Sequence, residues 1–133
     1  MKKETISIST HSRTDFISVS RGVQTIIEKW GVKEGLCTLY VPHTTAAVFI
    51  NEGYDPDVMR DLETSLEHQV PWTVGYAHSE GNAAAHIKAV LIGNSRQILV
   101  ENGRLLLGRW EEIFFAEFDG PRNRKLIVSF IEG

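Results

Sequence analysis

The chain has 133 residues, 42% of them apolar, and its 14 Lys and Arg against 17 Asp and Glu give a formal net charge of −3. This length predicts one globular domain over residues 1–133, and the lack of a Lys/Arg block leads us to expect no nucleic-acid and no membrane partner. The single cysteine, Cys37, excludes an intrachain disulfide and a cysteine-based zinc cluster.

The N-terminal part of the chain predicts two strands and a helix. Residues 4–10 alternate polar and apolar side chains as a strand does, and residues 16–19 predict a second, short strand. Apolar residues then recur at helical spacing before Gly31, which predicts an amphipathic helix over 22–30. The first ten residues lack the apolar core of a signal peptide, and no window of the chain reaches membrane-spanning length. We therefore expect a cytoplasmic protein.

Two strands and two helices are predicted next. Strands over 36–41 and 46–50 are separated by Pro42, which indicates a turn or a sheet edge. A helix should begin with Asp55 as its N-cap and end near residue 69. The alanine-rich segment 82–92 predicts a third helix.

The C-terminal part of the chain predicts strands only. Strands are expected over 97–100, 104–107, 111–118 and 126–131. Asn102-Gly103, between the first two of these strands, is a strong hairpin signal. The order of elements predicts a single α+β domain.

Polar residues bracket the short strand at 46–50. His43 and Thr44 precede it, and Asn51 and Glu52 follow it. At about 3.3 Å per residue, the two groups should lie roughly 25 Å apart. One subunit therefore cannot easily bring both groups into one pocket, whereas a site across a subunit interface can use both.

The segment HSEGNAAAH contains a second group of candidate residues: His78, Glu80, Gly81, Asn82 and His86. Asn82 and His86 share a face of the predicted helix, and imidazoles suit zinc and similar metals. A loop that ends at a helix N-terminus also binds phosphate, although Glu80 repels an anion unless a cation lies between them. The alternative is that Asn82 only caps the helix and His86 is a surface or core histidine.

The turn after residue 118 contains a third group. Arg122 can grip a phosphate or a carboxylate there, and Asp119 lies close by in the sequence. The alternative is an ordinary hairpin with a solvated Asp-Arg pair. Trp72 and Trp110 are expected to be core or interface anchors rather than ligand platforms.

Three segments, HTTAAVFINEGYDPDVMRDL, HSEGNAAAHIKAVLIGNS and GRLLLGRWEEIFFAEFDGPRNRKL, resemble in order and spacing the YjbQ-like family, which is described as secondary thiamine-phosphate synthases. The resemblance covers essentially the whole chain. It implies a β-sandwich-like α+β fold with mixed or antiparallel sheets and about three helices, and a homotrimer with pockets near subunit boundaries. It also implies a transferase that joins hydroxymethylpyrimidine diphosphate to thiazole phosphate and releases pyrophosphate.

The resemblance also implies roles for individual residues. The expected metal ligands, for zinc or magnesium, are His43, His78 and His86. The expected catalytic residues are His43, Glu52, Glu80 and Asp119. The expected substrate- and phosphate-binding residues are Thr44, Asn51, Gly81, Asn82 and Arg122. Ala84 and Glu111 depart from the family pattern, which often has an acidic residue at the first position and glutamine at the second.

Two other functions are compatible with the same residues. A metal-dependent hydrolase of another phosphorylated metabolite would use the histidines and the arginine equally well. A trimer that binds a small molecule or a metal without turnover would also need them. The sequence does not separate these three functions.

Overall fold

The structure, a computed structural model, describes residues 1–133 as eight strands and three helices. In chain order the elements are β1 (Lys2–Ser9), β2 (Asp15–Ser18), α1 (Ser20–Trp30), β3 (Gly35–Tyr40), β4 (Ala46–Glu52), α2 (Pro56–Gln69), α3 (Ala83–Ile92), β5 (Ser95–Glu101), β6 (Arg104–Leu105), β7 (Glu111–Glu117) and β8 (Asn123–Glu132). None of the helices is both long enough and apolar enough to cross a membrane.

The strands form two antiparallel sheets. The larger has five strands in the order β1-β8-β3-β5-β6, and the smaller has three in the order β2-β7-β4. Leu39 and Val128 of the larger sheet share one core cluster with Val48 and Phe115 of the smaller sheet. The two sheets therefore enclose a common core, which confirms the expected α+β fold with antiparallel sheets and three helices.

The smaller sheet is covered on both faces, which explains why β4 lacks a clear polar-apolar alternation. Ala46 and Val48 belong to the core between the sheets, whereas Ala47 and Phe49 belong to a second cluster that includes Ala85 of α3. Successive side chains of a strand point to opposite faces, so a strand buried on both sides is apolar throughout. This packing places α3 against β4, next to the polar residues that precede that strand.

Local sequence signals match the structure closely. The Asp55 carboxylate accepts a hydrogen bond from the Asp57 N–H at 2.9 Å and caps α2, as the Asp-Pro pair predicts. Asn102 and Gly103 have φ values of 54° and 76°, which the tight turn between β5 and β6 requires. The predicted strand over 104–107 is shorter in the structure, where β6 ends at Leu105.

Pro42 lies in the turn between β3 and β4, which is one of the two alternatives that the sequence indicated. β3, which precedes Pro42, lies in the middle of the larger sheet, and β4, which follows it, lies at an edge of the smaller one. Proline ends β3 without occupying a paired position, so its effect is confined to the turn. The Val48 N–H donates to the Gly93 carbonyl at 3.1 Å, so the loop after α3 satisfies part of the free edge of β4.

Phe115 tests the importance of the core between the sheets. Its side chain is 0% exposed, so replacement by alanine should lower the free energy of unfolding by about 3–5 kcal/mol through lost burial and a residual cavity. Leu99→Ala is the control, since Leu99 is 56% exposed and should change stability by less than about 1 kcal/mol. Urea unfolding followed by circular dichroism measures both, and equal losses would contradict this view of the core.

Candidate functional site

The structure gathers most of the candidate residues at one end of the sandwich. Ala46, which begins β4, pairs with Glu117, which ends β7, and the Phe118 N–H donates to the Thr45 carbonyl. The loop before β4 and the turn after β7 therefore meet, and α3 joins them. We call this the histidine end, defined by His43, Thr44, His78, Asn82, His86, Asp119 and Arg122.

A cavity of about 390 Å³ opens at the histidine end. Its polar lining comes from His43 and Thr44 before β4, His86 on α3 and Asn94 after α3. The Asn94 carbonyl accepts a hydrogen bond from the Val41 N–H at 2.8 Å, which fixes the loop that forms part of the wall. Residues from separate parts of the chain thus meet in one small polar pocket.

The surroundings of His43 favour its neutral form and select one tautomer of it. Burial lowers the pKa of His43 from its ordinary value of 6.5, and the nearby Arg124 guanidinium lowers it further, while the Glu117 carboxylate acts in the opposite direction. Its Nε2 accepts a hydrogen bond from the Lys125 N–H at 2.9 Å, so the proton of the neutral ring lies on Nδ1. His43 can therefore donate a hydrogen bond to a ligand through Nδ1.

Two of the three expected metal ligands are neighbours. The rings of His78 and His86 have their centroids 5.1 Å apart in an edge-to-face arrangement. Within the chain, however, no group of three or more His, Cys, Asp or Glu side chains is placed to hold a metal ion. The Nε2 of His43 is also occupied by its hydrogen bond to Lys125. A three-histidine metal site therefore does not fit the single subunit, although a two-histidine pair does.

Asn82, Asp119 and Arg122 form a second polar group at the histidine end. Asn82 Nδ2 donates to Asp119 Oδ2 at 2.9 Å, and Arg122 donates to the same oxygen at 3.0 Å. Asn82 makes no side-chain cap bond, so the simple capping alternative does not describe it. Asp119 is only 14% exposed against 52% for Arg122, so their pair is partly protected from solvent.

One atom of this group has no partner. Asn82 Oδ1 is buried and accepts no hydrogen bond. A buried acceptor without a donor is costly, so this atom marks a weak point of the polar group.

The loop before α3 contributes less to the cavity. Glu80 is exposed, and its carboxylate lies 3.9 Å from His78 Nε2. Gly81 has a φ of 79°, and it lines a separate cavity of about 180 Å³ with Trp72, Tyr76 and His78. Ala84, where relatives were expected to have an acidic residue, is 0% exposed and belongs to the interior.

A buried polar network that was not predicted from the sequence lies beside the histidine end. Arg124 donates to both carboxylate oxygens of Glu117, at 2.7 and 2.5 Å, and to the Thr45 hydroxyl at 2.8 Å. The Thr10 hydroxyl donates to Glu117 at 2.9 Å. The sequence of β8 does contain a signal that Arg124 is buried. Arg124 stands two residues before Leu126, so it falls on the inward-facing side of the strand with the buried residues that follow.

Asn51 and Glu52 lie at the opposite end of β4, away from the histidines. Asn51 pairs with Glu112, and Glu52 pairs with Glu111. Glu52 accepts a hydrogen bond from the Asp55 N–H at 3.0 Å. We call this the acidic end, defined by Glu52, Asp55, Glu111 and Glu112. The separation expected from the length of the strand is thus present in the structure.

The pH dependence of stability should report on Glu117. Burial raises the pKa of Glu117, but hydrogen bonds from Arg124, the Asp119 N–H and Thr10 outweigh it and hold the pKa below its ordinary 4.5. The unfolded chain therefore binds this proton more readily, so stability is present above about pH 4.5 and falls as the pH drops through the folded-state pKa.

Glu117→Gln should lower the free energy of unfolding at pH 7 by about 3–5 kcal/mol, because it leaves the Arg124 charge buried and unpaired. It should also flatten the acid limb of the stability curve, whereas the exposed Glu63→Gln should do neither. Chemical denaturation between pH 3 and 7 measures this, and an unchanged acid limb in Glu117→Gln would refute the assignment.

The protonation state of His43 gives a second test. Its NMR titration midpoint in the folded protein should lie below 6.5, and the long-range ¹H–¹⁵N spectrum at pH 7.5 should show the proton on Nδ1. Because the unfolded chain takes up this proton at higher pH, the contribution of His43 to stability is lost as the pH falls through the folded midpoint. The same ring in the urea-unfolded chain is the control, and a folded midpoint at or above the unfolded one would contradict the prediction.

Comparisons with known proteins cover nearly the whole chain. Residues 4–133 match the family model described as UPF0047 protein YjbQ-like. The chain is 41% identical to the UPF0047 protein YugU of Bacillus subtilis over 129 residues, which cover 96% of this chain and 98% of that relative. It is 44% identical to the UPF0047 protein MJ1081 of Methanocaldococcus jannaschii over 124 residues, which cover 93% and 90%.

Solved structures agree with the fold. A YjbQ/UPF0047-family protein from Clostridium acetobutylicum has a TM-score of 0.94 at 45% identity, covering 96% of this chain and 99% of that one. The hypothetical protein APE1520 from Aeropyrum pernix has a TM-score of 0.95 at 35% identity, covering 100% of both chains. With similarity of this extent in sequence and in structure, the chain belongs to the YjbQ-like UPF0047 family.

Proposed function

We propose that the protein is a transferase of the secondary thiamine-phosphate synthase type, which binds a small phosphorylated metabolite in the cavity of the histidine end. The observation that supports this most directly is the state of His43, which lines the cavity as a neutral ring with a proton on Nδ1. A fixed donor in a partly enclosed pocket is suited to phosphate oxygens and to negative charge that develops during a reaction. The cavity of about 390 Å³ falls within the range of small-molecule sites.

The proposed reaction joins two phosphorylated rings. The thiazole nitrogen forms a bond to the methylene carbon of the pyrimidine while the bond from that carbon to the diphosphate oxygen breaks. The electron pair of the broken bond leaves with pyrophosphate, so negative charge grows on the leaving group. The Nδ1–H of His43 and the guanidinium of Arg122 are the donors of this chain that would stabilise that charge.

The other residues of the histidine end have supporting roles in this proposal. Asp119 holds Arg122 through its carboxylate and its carbonyl, so its predicted catalytic role becomes one of orientation. Asn82 donates to the Asp119 carboxylate and so helps to position the group that holds Arg122, and Thr44 lines the cavity. Glu80 is exposed and lies beside His78. We therefore propose that it helps to bind a ligand or an ion next to His78 and does not line the cavity.

A divalent metal remains part of the proposal, with two histidine ligands from this group instead of three. His78 and His86 could supply two ligands, and two imidazoles favour zinc over magnesium. A bound divalent ion would supply charge stabilisation for a diphosphate. The remaining ligands would have to come from outside this group of side chains, so we assign no step of the reaction to the metal.

We also propose that the protein is a homotrimer. Val90 of α3 is 81% exposed although it is apolar, and it lines the cavity together with His86. A neighbouring subunit on this surface would cover the apolar side chain and narrow the mouth of the pocket. Within one chain Asn51 and Glu52 lie at the far end of β4 and do not line the cavity, so the proposed reaction gives them no role.

The test is formation of thiamine phosphate from hydroxymethylpyrimidine diphosphate and thiazole phosphate, with zinc or magnesium added. His43→Gln should lower the rate about 10²–10³-fold, because glutamine can still accept from the Lys125 N–H but lacks the Nδ1–H donor. His86→Ala should also abolish product formation. It should lower the amount of metal that the purified protein retains. His68→Ala, at an exposed position near the end of α2, should keep full activity.

The outcomes separate the three functions. Product from the wild type and from His68→Ala but not from the folded His43 variant supports the synthase. Release of phosphate without joining of the rings would replace it with a hydrolase. If a folded trimer supplied with metal binds the precursors saturably but forms no product, the protein is a binding protein and the transferase proposal is refuted.

A further inference from the structure

We propose that the acidic end contains a second ligand site, which binds a small planar organic cation between aromatic side chains and carboxylates. A cavity of about 590 Å³ lies there, lined by Glu52, Tyr54, Asp55, Pro56 and Trp110. It is separate from the cavity of the histidine end, with which it shares no lining residue. The site is contained within one chain and does not depend on the transferase proposal.

Two exposed aromatic rings form one side of this cavity. Tyr54 is 77% exposed and Trp110 is 49% exposed, and their ring centroids lie 5.2 Å apart with an interplanar angle of 58°. Of the two roles predicted for Trp110, this exposure excludes the core anchor but not the interface anchor. Two large rings that contact each other at the surface offer a π face to a ligand. Because they are exposed, binding would not require them to leave the core.

The carboxylates of the acidic end have no basic partner. Glu52 and Glu111 are directly opposite each other in the pairing of β4 with β7, an arrangement that is unfavourable for like charges. No ion pair involves Glu52, Asp55, Glu111 or Glu112. No ion pair neutralises these carboxylates, although the Arg109 guanidinium lies on the nearby Trp110 ring, and a cationic ligand would lower their mutual repulsion.

These carboxylates are nevertheless held in place. Glu52 accepts from the Asp55 N–H at 3.0 Å, Asp55 accepts from the Asp57 N–H at 2.9 Å, and Glu111 accepts from the Gly108 N–H at 2.7 Å. Each of these bonds uses one carboxylate oxygen. The negative charge is therefore fixed beside the rings, and one oxygen of each group remains available.

Arg109 indicates the shape of the cation. Its planar guanidinium lies 4.8 Å from the centroid of the Trp110 ring and makes no ion pair. The protein itself thus places a flat cation on this aromatic face. A ligand with a flat, positively charged ring would occupy the same face and displace Arg109. A metal ion would gain nothing from the aromatic rings, so an organic cation is the better match.

The probe for the test is 1-methylnicotinamide, a planar cation, compared with nicotinamide, its uncharged counterpart of almost the same shape. The readout is the ¹H–¹⁵N resonance of the Trp110 indole N–H in the full chain, assigned by its loss in Trp110→Phe. The cation should move this resonance in a saturable manner, and its dissociation constant should be at least tenfold lower than that of nicotinamide. A shift that does not saturate, or equal affinity for both probes, would overturn the proposal.

The variants separate this site from general attraction to a negatively charged protein. Glu52→Gln with Asp55→Asn removes two charges but keeps both backbone hydrogen bonds, since glutamine still accepts and asparagine still caps a helix. It should weaken binding of the cation about tenfold. The matched control, Asp61→Asn with Glu63→Gln, removes two charges from exposed positions of α2 and should change affinity less than twofold. Equal effects of the two double variants would refute a defined site.

Arg109→Ala provides a test with the opposite sign. Removal of the competing guanidinium should tighten binding of 1-methylnicotinamide severalfold, and weaker binding in this variant would contradict the displacement that we propose. A series of protein concentrations without any probe completes the experiment. If the Trp110 resonance moves with protein concentration alone, the aromatic surface contacts a second copy of the chain, and the ligand site is refuted.

Discussion

The buried ion pair between Glu117 and Arg124 holds the histidine end together. It joins the last residue of β7 to the second residue of β8, and the hydroxyls of Thr10 and Thr45 complete it from two further segments. Both charges are almost fully removed from water. Because loss of either partner would leave a buried, unpaired charge, the relative positions of these segments are tightly constrained.

The same pair also determines the chemistry of His43. Arg124 contributes to the low pKa of that histidine, and the next residue of β8, Lys125, donates its N–H to the ring. One strand thus supplies the charge that disfavours the protonated ring and the hydrogen bond that selects its tautomer. His43 lies in the loop before β4, and Lys125 follows it by about eighty positions in the sequence. The hydrogen bond between them leaves Nδ1 as the donor atom of the neutral His43 ring.

Local sequence patterns predicted the elements and left the contacts between distant segments open. The cap at Asp55 and the turn at Asn102-Gly103 depend on neighbouring residues only, so their signals were sufficient. The edge position of β4 depends on the pairing order of whole strands, which no short window contains. The length of β4 did predict that Glu52 lies away from His43, since the rise per residue of a strand is nearly constant.

The sequence grouped some residues of the histidine end, but it did not reveal their arrangement. Sequence order identified His78 and His86 as a pair, and their rings are neighbours because one lies in the loop leading into the helix that carries the other. The partner of His43 could not be inferred, because the Lys125 N–H reaches it only through the register of the folded sheets. The surroundings of Trp110 could not be inferred for a similar reason, since its neighbour Tyr54 lies in a loop far from it in the sequence.

The loop after α3 connects the two layers of the molecule at the cavity wall. The Gly93 carbonyl receives the N–H of Val48 in the smaller sheet, and the adjacent Asn94 carbonyl receives the N–H of Val41 at the end of β3 in the larger one. One short peptide segment of the wall therefore serves as acceptor for both layers. A change in its backbone would leave a donor without a partner in each of them, so the two layers depend on the same two carbonyls.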